Sequence, residues 1–318
     1  MYKKIIMGTA IALIAVGCAT QPKKEEANKL IPKDMNGITT TTTTSEGTVY
    51  ANQKNNYLNS CLNGSGQGCR DISTLYELGL GLPKNMKKSL YYVEKGCELN
   101  HGSSCSKAGN FYAHGYSGVI NKQKAASYYM KGCELNYGGA CNNIGSAYMN
   151  GKGVVKNLAL SETYLQKALQ LGHVGAYNNL GFLFEMKGDD VNAEKYYIKG
   201  CNLKDSTACS NLAYLYKDQK KYTPSYNHFI KACNLTNGSA CHNASMMIYK
   251  KQITVPTPNV RMFRLDSHSC ELKNKTGCAD LAYDYEKGMG VVKDLKKAKQ
   301  YYKKACKLGH TSSCKKVK

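Results

Sequence analysis

Fourteen of the fifteen cysteines in this 318-residue chain form seven pairs, and the two members of every pair are eight positions apart. An even set at a fixed spacing predicts a disulfide framework in a chain that folds outside the cytoplasm. Zinc binding is a poorer interpretation, because structural zinc ligands usually stand about two to four residues apart. The predicted disulfides are Cys61–Cys69, Cys97–Cys105, Cys133–Cys141, Cys201–Cys209, Cys233–Cys241, Cys270–Cys278 and Cys306–Cys314.

One further unit of the same pattern lacks both cysteines. When residues 164–177 are aligned with residues 128–141, Leu169 and Tyr177 occupy the two cysteine positions. A covalent bond explains why both are lost together, because a single remaining thiol would have no partner. In the chain-entropy model each short loop closed by a disulfide stabilises the fold by about 2–3 kcal/mol.

The sequence between the cysteines repeats at intervals of 32–37 residues. Three, four and seven positions after each second cysteine stand an apolar residue, a small residue and, in most units, an aromatic residue. These offsets lie on one face of a helix, which we call helix A. A second helix, helix B, has a small residue just before each first cysteine position and, in seven of eight units, a leucine two positions after it. The pattern predicts seven two-helix repeats over residues 69–314, preceded by a partial unit.

One repeat departs from this pattern. Pro256 and Pro258 stand between its two helices, where the other repeats have a glycine-rich turn such as residues 151–156. Proline interrupts regular helical hydrogen bonding, so we expect a kink or an irregular layer here.

The N-terminus carries an export signal. Lys3 and Lys4 precede an apolar run from Ile5 to Val16, which is too short to span a bilayer comfortably. The run ends in Ala-Val-Gly-Cys, which resembles the bacterial lipobox and predicts lipidation of Cys18. Ala19 follows, and by the sorting rule of enteric bacteria this favours the outer membrane; plain secretion is the alternative.

The sequence therefore divides into three predicted segments. Residues 1–17 are a signal peptide, and residues 18–56 are a lipidated N-terminus and a flexible tether with few large apolar side chains. Residues 57–318 form the repeat domain. The formal net charge of +22 is mostly lysine. The positive charge could attract anionic partners such as glycans. Alternatively, the lysines only keep exposed helix faces solvated, and we favour this interpretation. Export argues against a nucleic-acid partner.

Three stretches, residues 142–148, 151–156 and 298–309, resemble the Sel1-like branch of the tetratricopeptide superfamily. With the paired cysteines, the chain is most similar to the Helicobacter cysteine-rich protein family. The resemblance implies an all-α fold, a right-handed α-solenoid of disulfide-linked helix pairs. Its concave face would bind a protein or peptide rather than perform chemistry. We expect a monomer with no cofactor and no metal ion.

Candidate ligand-binding residues stand two positions after the second cysteine position of four successive repeats. Stacked layers would align these amides into a ladder that contacts a ligand backbone; alternatively, each amide bonds nearby backbone at the helix start. The four residues are Asn143, Asn179, Asn211 and Asn243. Exposed positions on helix A are further candidates to line the groove, namely Asn110, Ser146, Phe182 and Tyr214.

The family resemblance also implies penicillin binding and weak β-lactam hydrolysis. Serine enzymes of that kind use Ser-x-x-Lys and Lys-Thr-Gly elements. Short matches occur at 104–107, 313–316 and 275–277, but they belong to different repeats, and no strand presents the last one. We predict no catalytic residue. The predicted function is a protein-binding module of the cell envelope; a β-lactam enzyme and a lysine-driven polyanion binder are the alternatives.

Overall fold

The structure, a computed structural model, describes residues 45–317. The predicted signal peptide over residues 1–17 and Cys18 lie outside the described residues. The described part of the chain is all helical and contains no strand. Its helices are α1 Ser45–Leu62, α2 Gly66–Leu78, α3 Met86–Glu98, α4 Gly102–His114, α5 Lys122–Glu134, α6 Gly138–Asn150, α7 Leu158–Gln170, α8 Ala176–Met186, α9 Asp190–Asn202, α10 Ser206–Asp218, α11 Tyr222–Asn234, α12 Gly238–Tyr249, α13 Pro258–Glu271, α14 Lys275–Lys287, α15 Leu295–Lys307 and α16 Thr311–Lys316.

The helices stack as antiparallel pairs, which confirms the predicted α-solenoid. Even-numbered helices are helices A, and odd-numbered helices are helices B. Each helix A packs on the helix B that follows it, and each helix B packs on the next helix A. Helix α1 runs through the predicted boundary between residues 56 and 57, so twelve residues assigned to the tether lie in this helix.

Aromatic pairs fill the space inside most helix pairs. In five pairs the aromatic position of helix A stacks on a tyrosine of helix B with the rings nearly parallel. Examples are Tyr112 on Tyr128, with ring centroids 5.8 Å apart, and Tyr148 on Tyr164, at 5.6 Å. The small residue of helix A allows this close approach: a Cβ atom on Gly109 would come 2.4 Å from the ring of Tyr129. The repeated small and aromatic positions therefore set the packing of each pair.

Seven disulfides join the end of a helix B to the start of the next helix A, as predicted. Their sulfur atoms lie 1.96–2.07 Å apart and their Cα atoms 4.3–4.8 Å apart. Inside every link, the third residue after the first cysteine position has a positive φ, for example Asn136 at 57° and Lys204 at 64°. The disulfides point to a location outside the cytoplasm. Within residues 45–317, no helix combines the length and apolar character needed to cross a membrane.

The link without cysteines differs in its backbone. Every other helix A begins three residues before its second cysteine, whereas α8 begins at Ala176, one residue before Tyr177. Gly175 precedes α8 in a helical conformation, while the residues before the other helices A are extended. The disulfide therefore accompanies an earlier and more regular start of helix A.

The two prolines do not kink a helix. Residues 250–257 form an irregular connection, and Pro258 is the first residue of α13, where its missing N–H leaves no hydrogen bond unmade. The expected irregularity is therefore confined to the connection between α12 and α13, and both helices are continuous.

The turn between α6 and α7 packs against the preceding layer, and this contact requires glycine. Gly153 has φ of 78°, and a Cβ atom there would come 1.9 Å from the backbone oxygen of Lys122 at the start of α5. We expect Gly153→Ala to lower the free energy of unfolding by about 2–4 kcal/mol, since backbone strain and a backbone clash add.

Gly118 supplies a matched control in the equivalent turn between α4 and α5. Its φ is 95°, and a Cβ atom there would meet nothing within 4 Å. Gly118→Ala should therefore cost only the strain of a positive φ, about 1 kcal/mol. Urea unfolding of both variants measures the difference; equal losses would show that the contact with Lys122 contributes nothing.

Candidate binding groove

The concave surface of the solenoid is formed by helices A. Helices A of most adjacent layers contact each other directly, whereas helices B of adjacent layers make less contact. A stack whose layers are closer on one side curves towards that side. The predicted groove residues all belong to helices A, namely α4, α6, α8, α10 and α12.

The four predicted asparagines are half-buried and bridge layers through their side chains. Asn211 Nδ2 donates to Asn178 Oδ1 at 2.8 Å, and Asn178 Nδ2 donates to Asn179 Oδ1 at 3.4 Å. Asn179 Nδ2 in turn donates to Asn142 Oδ1 at 2.7 Å. A continuous chain of amides thus joins α10, α8 and α6. The alternative predicted from the sequence was a hydrogen bond from each amide to nearby backbone at the helix start. The contacts observed are between side chains of different layers.

The two outer asparagines bond the preceding layer in the same direction. Asn143 Nδ2 donates to Ser106 Oγ at 3.3 Å, and Asn243 Nδ2 donates to the Tyr214 hydroxyl at 2.6 Å. Each of the four amides therefore uses an N–H group of its Nδ2 to bond the preceding layer. Their half-buried positions still leave them on the surface of the groove.

Two depressions interrupt the inner face. The first, of about 320 Å³, lies between α4, α5 and α6 and brings together three predicted groove residues, Asn110, Asn143 and Ser146. The hydroxyl of Tyr129 donates to Asn110 Oδ1 at 2.7 Å and fixes that amide at the depression. Further along the groove, Phe182 and Tyr214 are each 40 % exposed. Three of the predicted liners therefore meet at this depression, and the role of all of them in binding stays a prediction.

The second depression, of about 240 Å³, lies between α12, α13 and α14. We call it the acidic pocket because Asp266, Asp280 and Asp284 line it, with tyrosine and methionine side chains around them. Asp266 and Asp284 are each only 4 % exposed. Ser245 Oγ donates to Asp266 Oδ2 at 2.9 Å, but Asp266 Oδ1 and Asp284 Oδ2 have no hydrogen-bond partner among the described residues.

The electrostatics of the acidic pocket disfavour negative charge on both buried carboxyls. Burial, and then the carboxylates of Asp280 and Asp284, raise the pKa of Asp266 well above its ordinary range. Burial, and then Asp280, likewise raise the pKa of Asp284. Two buried carboxyls this close to each other can share one proton. A positively charged group could replace that proton in the pocket.

Sequence reasoning missed this pocket, although the repeat register contains a signal for it. Asp266 stands four positions before its first cysteine, where the other layers carry valine, leucine, tyrosine or phenylalanine. Asp284 stands six positions after its second cysteine, where the other layers carry alanine, leucine, methionine or phenylalanine. Two carboxyls thus replace core residues in neighbouring helices, and only a comparison of all repeats reveals the coincidence.

The pocket also holds a set of atoms that could ligate a metal ion. Ligand atoms of His242, Asp266 and Asp280 lie within 4.8 Å of one another. His242 Nδ1 is already 2.7 Å from Asp280 Oδ2, which makes an ion pair when the ring is protonated. A second such group contains Cys233 and Cys241, whose sulfurs are joined in a disulfide and are therefore not free to bind metal.

The short matches to serine-enzyme motifs hold structural contacts. Ser104 is fully buried at the start of α4, and its hydroxyl contacts His101 Nδ1 at 2.8 Å. Lys107 Nζ is 2.8 Å from Glu77 Oε2 of the preceding layer. Lys275 begins α14, ten helices further along the stack. The structure therefore does not bring the serine of the first match and the lysine of the last into one site.

Comparison with known proteins decides the family. The sequence model of the Sel1 repeat matches residues 67–101, 102–137, 139–173, 174–205 and 276–310, which is more than half of the chain. The chain belongs to the Sel1 repeat family. The Sel1 model leaves residues 206–275 unmatched, and this segment includes α12 and α13, which form two walls of the acidic pocket.

Solved structures share the Sel1 fold. A protective antigen of uropathogenic Escherichia coli displaying an SLR fold aligns over 93 % of this chain and 67 % of its own, with 19 % identity and a TM-score of 0.55. A Sel1 repeat protein from Oxalobacter formigenes covers 81 % of this chain and 94 % of its own, with 21 % identity and a TM-score of 0.50. Helicobacter pylori cysteine rich protein B is 32 % identical over 41 % of this chain and 93 % of its own, with a TM-score of 0.35. No curated protein matches the sequence.

Proposed function

We propose that this Sel1 repeat protein is a binding scaffold of the cell envelope that holds a segment of a partner protein on its concave face. One observation carries the proposal. Helices A present half-buried amides in four successive layers, and two adjacent layers add exposed aromatic side chains at one repeat position, Phe182 and Tyr214. Interfaces draw most of their affinity from aromatic anchors surrounded by polar contacts.

The amide ladder contributes to this surface by making it rigid. Because the donors of Asn179 and Asn211 bond the neighbouring layer, the inner face is organised before a ligand arrives. A preorganised surface loses less conformational entropy on binding than a flexible one. The disulfides act in the same sense, since they join each layer to the next at the start of helix A.

We infer that the protein acts outside the cytoplasm and is attached to the outer membrane through lipidated Cys18. Secretion without an anchor is the alternative. The seven disulfides support an oxidising compartment. The lipobox resemblance supports the anchor, and the flexible tether would then hold the solenoid away from the lipid surface. Metabolic labelling with a clickable fatty acid tests the anchor, and Cys18→Ser should abolish the labelling.

Site-specific cross-linking tests the groove. A photo-reactive phenylalanine analogue at position 182, on the inner face, should cross-link a partner protein in intact cells. The same analogue at position 191 should not, because Val191 is 80 % exposed on helix B. Phe182→Ala with Tyr214→Ala should reduce partner recovery by about ten-fold or more, the effect of losing interface anchors.

Thermal unfolding of this double variant controls for a loss of fold, because the Tyr214 hydroxyl also accepts a bond from Asn243. Val191→Ala is the matched control and should leave recovery unchanged. Equal cross-linking from both positions would contradict a groove-centred function. Recovery that disappears at high salt, but survives the aromatic substitutions, would instead favour the lysine-driven polyanion binder.

A further inference from the structure

The acidic pocket contains two independent departures from the repeat pattern that face the same space. Asp266 comes from α13 and Asp284 from α14, and both stand where the other layers bury apolar side chains. Each is more than nine-tenths buried and lines the pocket, and neither Asp266 Oδ1 nor Asp284 Oδ2 receives a hydrogen bond from a donor group of another described residue. Buried acceptors of this kind cost free energy unless a donor or a positive charge reaches them.

The charge of the pocket is opposite to that of the protein. The chain carries 44 lysine and arginine residues against 22 acidic residues, yet no lysine or arginine lines this pocket. Three aspartates line it instead. The negative potential of the pocket attracts cations, whereas the basic remainder of the surface attracts anions.

The walls of the pocket fit an organic cation. Tyr249 and Tyr283 line it and are 59 % and 41 % exposed, and the ring of Tyr283 already lies 5.8 Å from a cation, the Nζ of Lys287. Met246, Met262 and Met289 provide flexible apolar surface for the methylene stem of a long side chain. The volume of about 240 Å³ leaves room for such a group, whereas a bare metal ion needs only a few ligand atoms around it.

The pocket is also continuous with the groove. Asp280 stands at the repeat position of the amide ladder, two after the second cysteine, and Tyr283 stands at the position of Phe182 and Tyr214. A segment that lies along helices A therefore passes over the mouth of the pocket. A basic side chain of that segment can enter it.

We propose that the acidic pocket binds a basic side chain, the guanidinium of arginine or the ammonium of lysine, of the protein segment that lies in the groove. The cation occupies the place of the proton between Asp266 and Asp284, with Asp280 at the rim. This inference rests on the proposed function and adds an anchor residue to it. Arginine fits best, because its planar fork can bond two carboxyls at once.

The test uses the full, oxidised chain and three small probes. Nα-acetyl-arginine amide and Nα-acetyl-lysine amide carry the cation, and Nα-acetyl-citrulline amide is the neutral isostere of arginine. In ligand-observed NMR titrations, the arginine probe should bind at least about ten-fold more tightly than the citrulline probe. Equal binding of the two, or no binding of either cation, would overturn the proposal.

Three substitutions locate the site. Asp266→Asn with Asp284→Asn should abolish arginine binding, and Asp280→Asn at the half-buried rim should weaken it even if the double variant folds poorly. Asp218→Asn, on the exposed end of α10, makes the same charge change elsewhere and should leave binding unchanged. Arginine binding that survives both pocket variants would place the cation elsewhere and refute the assignment.

Two outcomes separate this inference from its alternatives. Zinc or manganese that binds stoichiometrically at micromolar concentration and displaces the arginine probe would replace the proposal with a metal site at His242, Asp266 and Asp280. Arginine binding in the pocket, together with equal cross-linking from positions 182 and 191, would retain the cation pocket and refute the groove as the partner surface.

Discussion

Replacing both Cys133 and Cys141 by alanine is expected to lower the free energy of unfolding by about 2–3 kcal/mol. This disulfide closes a loop of eight positions and is fully buried between α5 and α6. Its removal increases the conformational entropy of the unfolded chain and leaves the layers joined only by packing. Urea unfolding followed by circular dichroism under oxidising conditions measures the loss.

The position of the link in the stack should decide how far the damage spreads. In an array where each layer contacts only its neighbours, a weakened central link divides the stack, whereas a weakened terminal link only frays the end. Cys306→Ala with Cys314→Ala should therefore destabilise only α16, which hydrogen exchange resolves. Equal effects at both links would show that the layers unfold as one unit.

The natural link without cysteines offers the reverse experiment. Leu169→Cys with Tyr177→Cys should form an eighth disulfide and move the start of α8 from Ala176 towards position 174, as in the other layers. Because the backbone must rearrange, we expect a gain smaller than the loss at the central link. If the two cysteines do not form a disulfide, the backbone of this link does not allow the approach that the other links make.

The fold could be predicted because its determinants recur. The small residue at Gly109 and the tyrosines at 112 and 128 occupy repeat positions whose spacing alone indicates two helices and their packing, and the structure confirms these contacts. The prolines were harder to interpret. Pro258 reads as a helix interruption in the sequence, but at the first position of α13 it is compatible with an uninterrupted helix.

The sequence predicts which residues share a helix face, but not the contacts that their side chains make. Repeat spacing puts Asn179 and Asn211 on one face, whereas their bonding partners depend on which side chains of the previous layer come within reach. The acidic pocket needs still more information. Asp266 and Asp284 lie in different helices and form no local motif, so only the stacking of α13 on α14 brings them together.

Asp266→Asn is expected to raise the free energy of unfolding at about pH 8 by about 1–3 kcal/mol. The pKa of Asp266 is raised in the folded protein, first by burial and then by Asp280 and Asp284. In the unfolded chain the same carboxyl ionises in its ordinary range. Folding therefore takes up a proton, and the native protein loses stability as the pH rises from that range through neutrality.

Asparagine has the shape of the neutral carboxyl and does not ionise, so this variant should not show that loss. The advantage of Asp266→Asn over the native protein should shrink towards zero at about pH 3, where the unfolded carboxyl is also largely protonated. Urea unfolding at several pH values measures it. His242 also faces this pocket from α12, with its Nδ1 2.7 Å from Asp280 Oδ2.

Asp218→Asn is the control, because that carboxyl is exposed and its substitution should change stability little at any pH. A variant at Asp266 that is less stable at high pH would mean that a bound cation or an ion pair already compensates the carboxylate. If the expected gain is found, the buried carboxyl of Asp266 lowers the free energy of unfolding. An apolar residue at that position would pack without this cost. A cost of this kind at two core positions is typical of a site kept for binding.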